Sequence, residues 1–350
     1  MGPGEFLPRP FPHPTQTAPR RHRPLRLPSA TDSVTFPAMT HPIDAAAIRA
    51  AAQRIAPHIR RTPLLRLPAG ALGTACDVTL KLELLQASGS FKPRGAFNRM
   101  LSAPLPAAGV VAASGGNHGA AVAYAARQLG IPAEIFVPQI TGAAKVARIQ
   151  AYGARLVQGG AAYDDARRAS EARAAETGAL MVHAYDQPEV LAGQGTLALE
   201  LEEDAPELTH VLFATGGGGL IGGCAAWYAG RAEIISVEPD ACPTLHTALR
   251  EGAPTPAPVG GVAADSLGAR QVGLTMFPIA QRFVKTALLV PDDAIRAAQR
   301  LLWDACRLVA EPGGATALAA LLCGAFVPPE GAKVGVVVCG GNTDPGSIAG

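Results

Sequence analysis

The sequence predicts an α/β fold in which mostly parallel strands are covered by helices on both faces. Three observations predict it. From Ala107 onward, short apolar runs alternate with longer segments of helical periodicity. The runs are mainly apolar rather than alternating, as strands buried on both faces require. Three glycine-containing turns, starting at Ser114, Gly216 and Cys339, follow directly on such runs. A length of 350 residues allows two domains or one large α/β unit.

The elements follow in order. Residues 1–38 hold nine of the 31 Pro and five Arg (Arg9, Arg20, Arg21, Arg23, Arg26) against the acids Glu5 and Asp32. Such a segment buries too little surface to offset its ordering, so it is read as disordered. Its Pro density excludes the amphipathic helix of a transit peptide. A vector remnant or an upstream start codon accounts for it better, and the fold is expected to begin near Met39. Asp44 caps a helix over Ala45–Ile55. Val78–Leu84 alternates and reads as a strand, followed by a loop over Ser88–Gly95. Strands are then expected at Val110–Ala113, Ala133–Val137, Leu156–Gln158, Leu180–Ala184, Val211–Ala214, Ile234–Glu238 and Val334–Cys339. Helices are expected at Gly119–Leu129, Gly142–Tyr152, Tyr163–Glu176, Gly193–Glu202, Leu220–Gly230 and Asp292–Leu308, with a surface loop at Gly252–Pro258.

Composition narrows the function. Apolar residues make up 48% and charged residues 17%, which supplies a large core and argues against global disorder. The net charge of +2 gives no reason to expect a nucleic-acid or acidic-membrane partner. The longest apolar runs, such as Gly335–Cys339, are far short of a membrane span. Six scattered Cys without a CxxC pair argue against structural zinc or a disulfide framework, and point to a reducing cytoplasm.

Four loops carry the chemistry. The first is Gly216, Gly217, Gly218 and Gly219, between a strand and a helix. Backbone N–H groups in such a turn, with the helix N-terminus behind them, suit a phosphate. Gly217, Gly219 and Gly222 also match GxGxxG, and Glu238 ends the next strand, so a dinucleotide site is one reading. No GxxxxGK[ST] is present, which excludes a P-loop. In the second loop Lys92 sits between Phe91 and Pro93. Desolvation there lowers an amine's pKa, as a nucleophile needs, although a lone loop lysine is as a rule a solvated one. The third loop, Ser114 to Gly119, offers a hydroxyl, the Asn117 amide, His118 and backbone N–H groups to a carboxylate. The fourth, Cys339 to Thr343, follows the last strand; taken alone, Cys339 reads as a small buried residue. Open parallel sheets bind ligands at the carboxyl ends of their strands, where three of these loops lie.

Together the segments resemble the pyridoxal-phosphate enzymes of the tryptophan-synthase-β fold, fold type II, and most of all the serine/threonine dehydratase and serine racemase branch. The resemblance rests on SGSFKPRGA (Ser88–Ala96), SGGNHG (Ser114–Gly119), GQGT (Gly193–Thr196), GGGG (Gly216–Gly219), EPGGA (Glu311–Ala315) and CGGN (Cys339–Asn342), in the family's order. It implies two domains, each a mostly parallel sheet flanked by helices. The larger would be 39–106 with 185–350, and the smaller, 107–184, would close over the substrate. It implies pyridoxal 5'-phosphate as cofactor, with Lys92 as the Schiff-base lysine and the base at Cα. Phe91 would lie against the ring, Asn117 would bond the ring hydroxyl, Gly216 to Gly219 would hold the phosphate, and Cys339 would face the pyridine nitrogen. Glu311 would lie close to the cofactor, and Ser114, Gly115, Asn117 and His118 at the substrate. The implied activity is β-elimination of water from L-threonine, L-serine or a related 3-hydroxy amino acid, by a cytoplasmic homodimer.

Three departures qualify the resemblance. The racemase branch has a Ser as second acid/base where this chain has Gly115. Glu238 and Pro239 match the branch's cation site, but the stretch to Thr244 lacks its later Asp, so no metal is expected. No segment follows Gly350, so the regulatory domain of feedback-controlled relatives, and inhibition by isoleucine, are not expected. The resemblance leaves open β-replacement as in cysteine synthase, threonine synthesis, and a pseudoenzyme; the glycine pattern alone leaves open an NAD-binding oxidoreductase.

Overall fold

The computed structural model describes residues 25–26 and 43–348. Apart from Leu25–Arg26, the reading of residues 1–38 lies outside the described residues, as does the expected start near Met39. The described strands are β1 (Leu25–Arg26), β2 (Leu64–Leu67), β3 (Val78–Lys81), β4 (Val110–Ala113), β5 (Ala133–Val137), β6 (Arg155–Gln158), β7 (Leu180–Met181), β8 (His210–Ala214), β9 (Glu233–Pro239), β10 (Val284–Val290) and β11 (Val334–Val337). The helices are α1 (Ala45–Ile55), α2 (Pro93–Leu101), α3 (Asn117–Leu129), α4 (Ala143–Ala151), α5 (Tyr163–Thr177), α6 (Pro188–Asp204), α7 (Gly219–Tyr228), α8 (Thr244–Glu251), α9 (Ala264–Leu267), α10 (Phe277–Phe283), α11 (Asp292–Cys306) and α12 (Pro312–Leu322).

The strands form two sheets, in the orders β1-β10-β9-β8-β11-β3-β2 and β6-β5-β4-β7. The smaller sheet is parallel throughout, and in the larger one the outermost pairs, β1–β10 and β2–β3, are antiparallel. This is the expected α/β class of parallel sheets flanked by helices. A large core fills the space around β8, β9 and β11 under α6, α7 and α12. A second core joins β4, β5 and α3 to Ile55 of α1 and to Phe97 and Met100 of α2. The inward face of α3 is almost all Ala (Ala121, Ala125, Ala126), which lets the helix lie close on its sheet.

The elements differ from expectation in places with identifiable causes. The strand expected over Val78–Leu84 stops at Lys81, because Glu83–Leu85 coil into a 3₁₀ turn. The strand expected over Leu180–Ala184 stops at Met181. Beyond it the backbone N–H groups of Tyr185 and Asp186 donate to the His183 ring, and that of His183 donates to the Gln187 side chain, closing a turn. The loop expected through Gly95 turns helical at Pro93, which stands in the first turn of α2, where a missing N–H costs nothing. Neither β10 nor α12 was expected. The short apolar run of β10 does not distinguish strand from helix. α12 opens on Pro-Gly-Gly and is buried nearly all round, so it shows no polar face.

Candidate active site

Three of the loops stand at the carboxyl ends of β4, β8 and β11, and the Lys92 loop follows β3 after the 3₁₀ turn Glu83–Leu85. The Lys92 loop and the last loop are tied together by backbone. Phe91 donates its N–H to the Cys339 carbonyl at 3.1 Å, and Gly341 donates to the Gly89 carbonyl at 2.9 Å. Lys92 occupies the N-cap of α2, and its Nζ donates to the Ala184 carbonyl at 2.8 Å. The Phe91 ring lies 5.0 Å from that Nζ. Lys92 keeps some exposed surface, yet desolvation of the ammonium lowers its pKa to about 8, against the pull of Glu311.

Beneath Lys92 lies a buried ionic cluster. Arg94, fully buried, donates at 2.8 Å to both carboxylate oxygens of Glu83 and to both of Glu200. Lys81, also fully buried, donates at 2.8 Å to Glu200 and to the Thr62 carbonyl. Two acids meet two bases, so the cluster is neutral, and its hydrogen bonds offset the desolvation of four charges. It anchors the first turn of α2, two residues beyond Lys92, to β3 and α6.

Asn117 opens α3. Its Nδ2 donates to Glu311 Oε1 at 2.6 Å, and its Oδ1 accepts from Asn342 Nδ2 at 2.6 Å. Glu311 caps α12, and burial pushes its carboxyl up to about 7. Cys339 is buried, its thiol donates to the Gly313 carbonyl at 3.5 Å, and burial raises its pKa, which keeps it protonated. Ser114 Oγ accepts from the Gly116 N–H at 3.2 Å. A Cβ on Gly115 would lie 2.8 Å from Thr141 Cγ2 and 3.3 Å from Thr141 Oγ1. His118 is turned inward: its Nε2 donates to the Val182 carbonyl at 2.9 Å, and burial lowers its pKa to about 3, so the ring is neutral.

The tetraglycine loop is packed where no side chain fits. A Cβ on Gly216 would lie 2.8 Å from the Leu267 carbonyl oxygen, and one on Gly217 would lie 2.5 Å from the Tyr185 ring. Gly218 has φ +88° and would drive a Cβ into Met276. Tyr185 follows Ala184, so one short segment touches both Lys92 and the glycines. No sequence signal marked Tyr185 or Thr141. Asn342 lay within a quoted motif, but its partners, 225 and 254 residues away in the chain, were beyond local reading.

Glu238, which sequence spacing offered to a ribose or a cation, is occupied elsewhere. Its carboxylate accepts the N–H groups of Leu245 and His246 at 2.6 and 2.7 Å, at the start of α8. Burial pushes its carboxyl up to about 8 against those bonds. Among the described residues, no group of three His, Cys, Asp or Glu is placed to hold a metal ion. No described helix is long and apolar enough to cross a membrane.

A family model described as pyridoxal-phosphate dependent enzyme matches residues 55–340. The chain is 37% identical over 307 residues to an L-threonine ammonia-lyase of Geobacter sulfurreducens, covering 86% of this chain and 76% of that one. It is 36% identical over 326 residues to a phenylserine dehydratase of Ralstonia pickettii, covering 91% and 97%. The solved structure of maize serine racemase superposes with a TM-score of 0.83 at 33% identity, covering 88% of this chain and 96% of that one. The chain therefore belongs to the pyridoxal-phosphate-dependent enzymes of fold type II, in the threonine dehydratase and serine racemase group, with pyridoxal 5'-phosphate as its cofactor.

Proposed function

We propose that the protein is a dehydratase that eliminates water from L-threonine, L-serine or a related L-3-hydroxy amino acid, releasing a 2-oxo acid and ammonia. The single observation that carries this reading is position 115. It has no side chain, and Thr141 fills the space a side chain would take. Lys92 then acts as the one base at Cα, and a proton removed there is not replaced from the other face by residue 115.

The residues fit pyridoxal phosphate. The side-chain-free turn at Gly216 to Gly219 suits the phosphate, and Lys92, with its pKa near 8, is a ready amine beside the Phe91 ring. When bound, the cofactor supplies an electron sink for the pair left at Cα. Lys92 Nζ takes the Cα proton. Cys339, protonated, would bring no negative charge to the ring nitrogen of a bound cofactor. Asn117, whose Nδ2 faces Glu311, would offer an N–H to the ring hydroxyl. The Ser114 hydroxyl and the backbone around Gly115 and Asn117 bind the substrate carboxylate, while His118 holds the start of α3 from behind. The Cα proton and the β-hydroxyl together leave as one water, and the enamine that results takes up one water to give the 2-oxo acid and ammonia.

For the domains, we take 39–106 with 185–350 as the larger and 107–184 as the mobile smaller one. Supporting this, β4 to β7 all fall within the smaller stretch. For a cytoplasmic location the support is the six cysteines, all unpaired, and for a homodimer it is the family resemblance alone.

One observation favours a second reading, racemisation: the Thr141 hydroxyl lies beside the position the racemase branch gives to Ser. The test is to supply pyridoxal phosphate and then L-threonine, L-serine, L-threo-3-phenylserine and their D-forms, measuring 2-oxo acid, ammonia and enantiomer ratio. Equal oxo acid and ammonia from an L-substrate, lost in Lys92→Ala, is the expected result. Conversion of L- to D-serine without oxo acid would replace the proposal by the second reading.

A further inference from the structure

Asn342 joins three segments distant in sequence. Its Nδ2 donates to the Ser88 carbonyl at 2.8 Å and to Asn117 Oδ1 at 2.6 Å. Ser88 lies in the Lys92 loop and Asn117 opens α3 on the smaller sheet, so one amide ties the two sheets together at the site.

The direction of these bonds is fixed by chemistry. A backbone carbonyl only accepts, so the Asn342 atom facing Ser88 is the nitrogen. That nitrogen has two hydrogens, and the second points at Asn117, which must therefore turn its oxygen toward Asn342. The Asn117 nitrogen is left facing the other way, toward the Glu311 carboxyl. With the Asn117 amide reversed, two N–H donors would face each other at Asn342.

The same amide shapes the backbone before Lys92. Ser88 has φ +60°, a left-handed conformation unusual for a residue with a Cβ, and Gly89 has φ +78°. A Cβ on Gly89 would collide with the Asn342 side chain, so the loop is moulded around that amide.

We propose that Asn342 is a positioning residue: it sets which way round the Asn117 amide sits, so that Asn117 presents an N–H rather than a carbonyl to the ring hydroxyl of pyridoxal phosphate. The inference rests on the reading that Asn117 contacts that hydroxyl.

The test compares Asn342→Asp, Asn342→Ala and Asn117→Ala by three measurements: equilibrium binding of pyridoxal phosphate, absorption maximum of the bound cofactor, and melting of the cofactor-free protein. Asp keeps the shape of Asn and replaces its two N–H donors with a carboxyl oxygen. Both Asn342 variants are expected to weaken binding about tenfold and to move the absorption maximum as Asn117→Ala does. If a folded Asn342→Asp protein binds the cofactor with wild-type affinity and spectrum while Asn117→Ala is impaired, the inference is overturned and the Asn117 reading stands. Lowered melting with an unmoved absorption maximum means a structural role only, and overturns it too. If Asn117→Ala changes neither binding nor spectrum, the Asn117 reading fails and the inference with it. Should Asn342→Ala not fold, the near-isosteric Asp variant decides alone.

Discussion

Glu311 is a buried carboxyl whose main polar partner is an uncharged amide, and that combination sets how the protein responds to pH. Burial disfavours the ionised form and lifts its pKa from 4.5 to about 7, while the Asn117 bond pulls the other way. The sign follows from linkage. A carboxyl raised in the fold contributes stability that is fully present below its unfolded value and is lost as pH climbs through the folded one. Glu311→Gln removes the titration and keeps the shape. Cofactor-free wild type should therefore lose melting temperature relative to this variant between about pH 5 and pH 8. A constant difference across that range would show that Glu311 does not titrate there. Lys92 shows the same contest in reverse, with desolvation lowering an amine until a usable fraction is neutral at physiological pH. A sequence shows a lysine beside an aromatic residue and a proline; it does not show how much water the fold removes.

At the scale of elements, α2 is held by charge. Its apolar side chains Phe97 and Met100 face the second core, while Arg94 on its first turn points into the cluster with Glu83, Glu200 and Lys81. Breaking a buried pair strands its partner. Arg94→Met leaves Glu83 and Glu200 against a single cation, Lys81, and should destabilise the protein by about 3–5 kcal/mol in urea unfolding. A loss below about 1 kcal/mol would mean that water reaches the stranded carboxylates. None of this was legible in the sequence: Lys81 and Glu83 alternate with apolar residues as outward-facing strand positions would, and nothing local links either to Glu200. The glycine turn was legible because its constraint is local. Four glycines between a strand and a helix announce a backbone that something must approach closely, and Tyr185, Leu267 and Met276 crowd that turn from outside.

For the molecule as a whole, the two sheets are linked by contacts of very different worth. Ile55, Phe97 and Met100 come from the first part of the chain yet belong to the core of the smaller sheet, so burial of apolar surface joins the two. On the surface, Lys145 of α4 meets Asp265 of α9 at 2.9 Å, with the two side chains 37% and 81% exposed. At that exposure an ion pair contributes little. Asp265→Ala should change unfolding stability by less than about 1 kcal/mol, measured beside Arg94→Met under the same conditions. A larger loss would assign the pair a structural role that its exposure does not predict.

The sequence by itself determined the alternation of strand and helix, the parallel sheets, the glycine turn, and the motif order that names the family. Each of these is written in neighbouring residues, through periodicity, backbone freedom or fixed spacing. The tertiary structure decided what depends on residues far apart in the chain. It placed the Ala184 carbonyl on Lys92, Thr141 against Gly115, the cap of α8 on Glu238, and Asn342 between Ser88 and Asn117. The physical reason is that burial and hydrogen-bond direction belong to the packed chain. Desolvation gives Lys92 and Glu311 their near-neutral pKa values, and only folding removes the water.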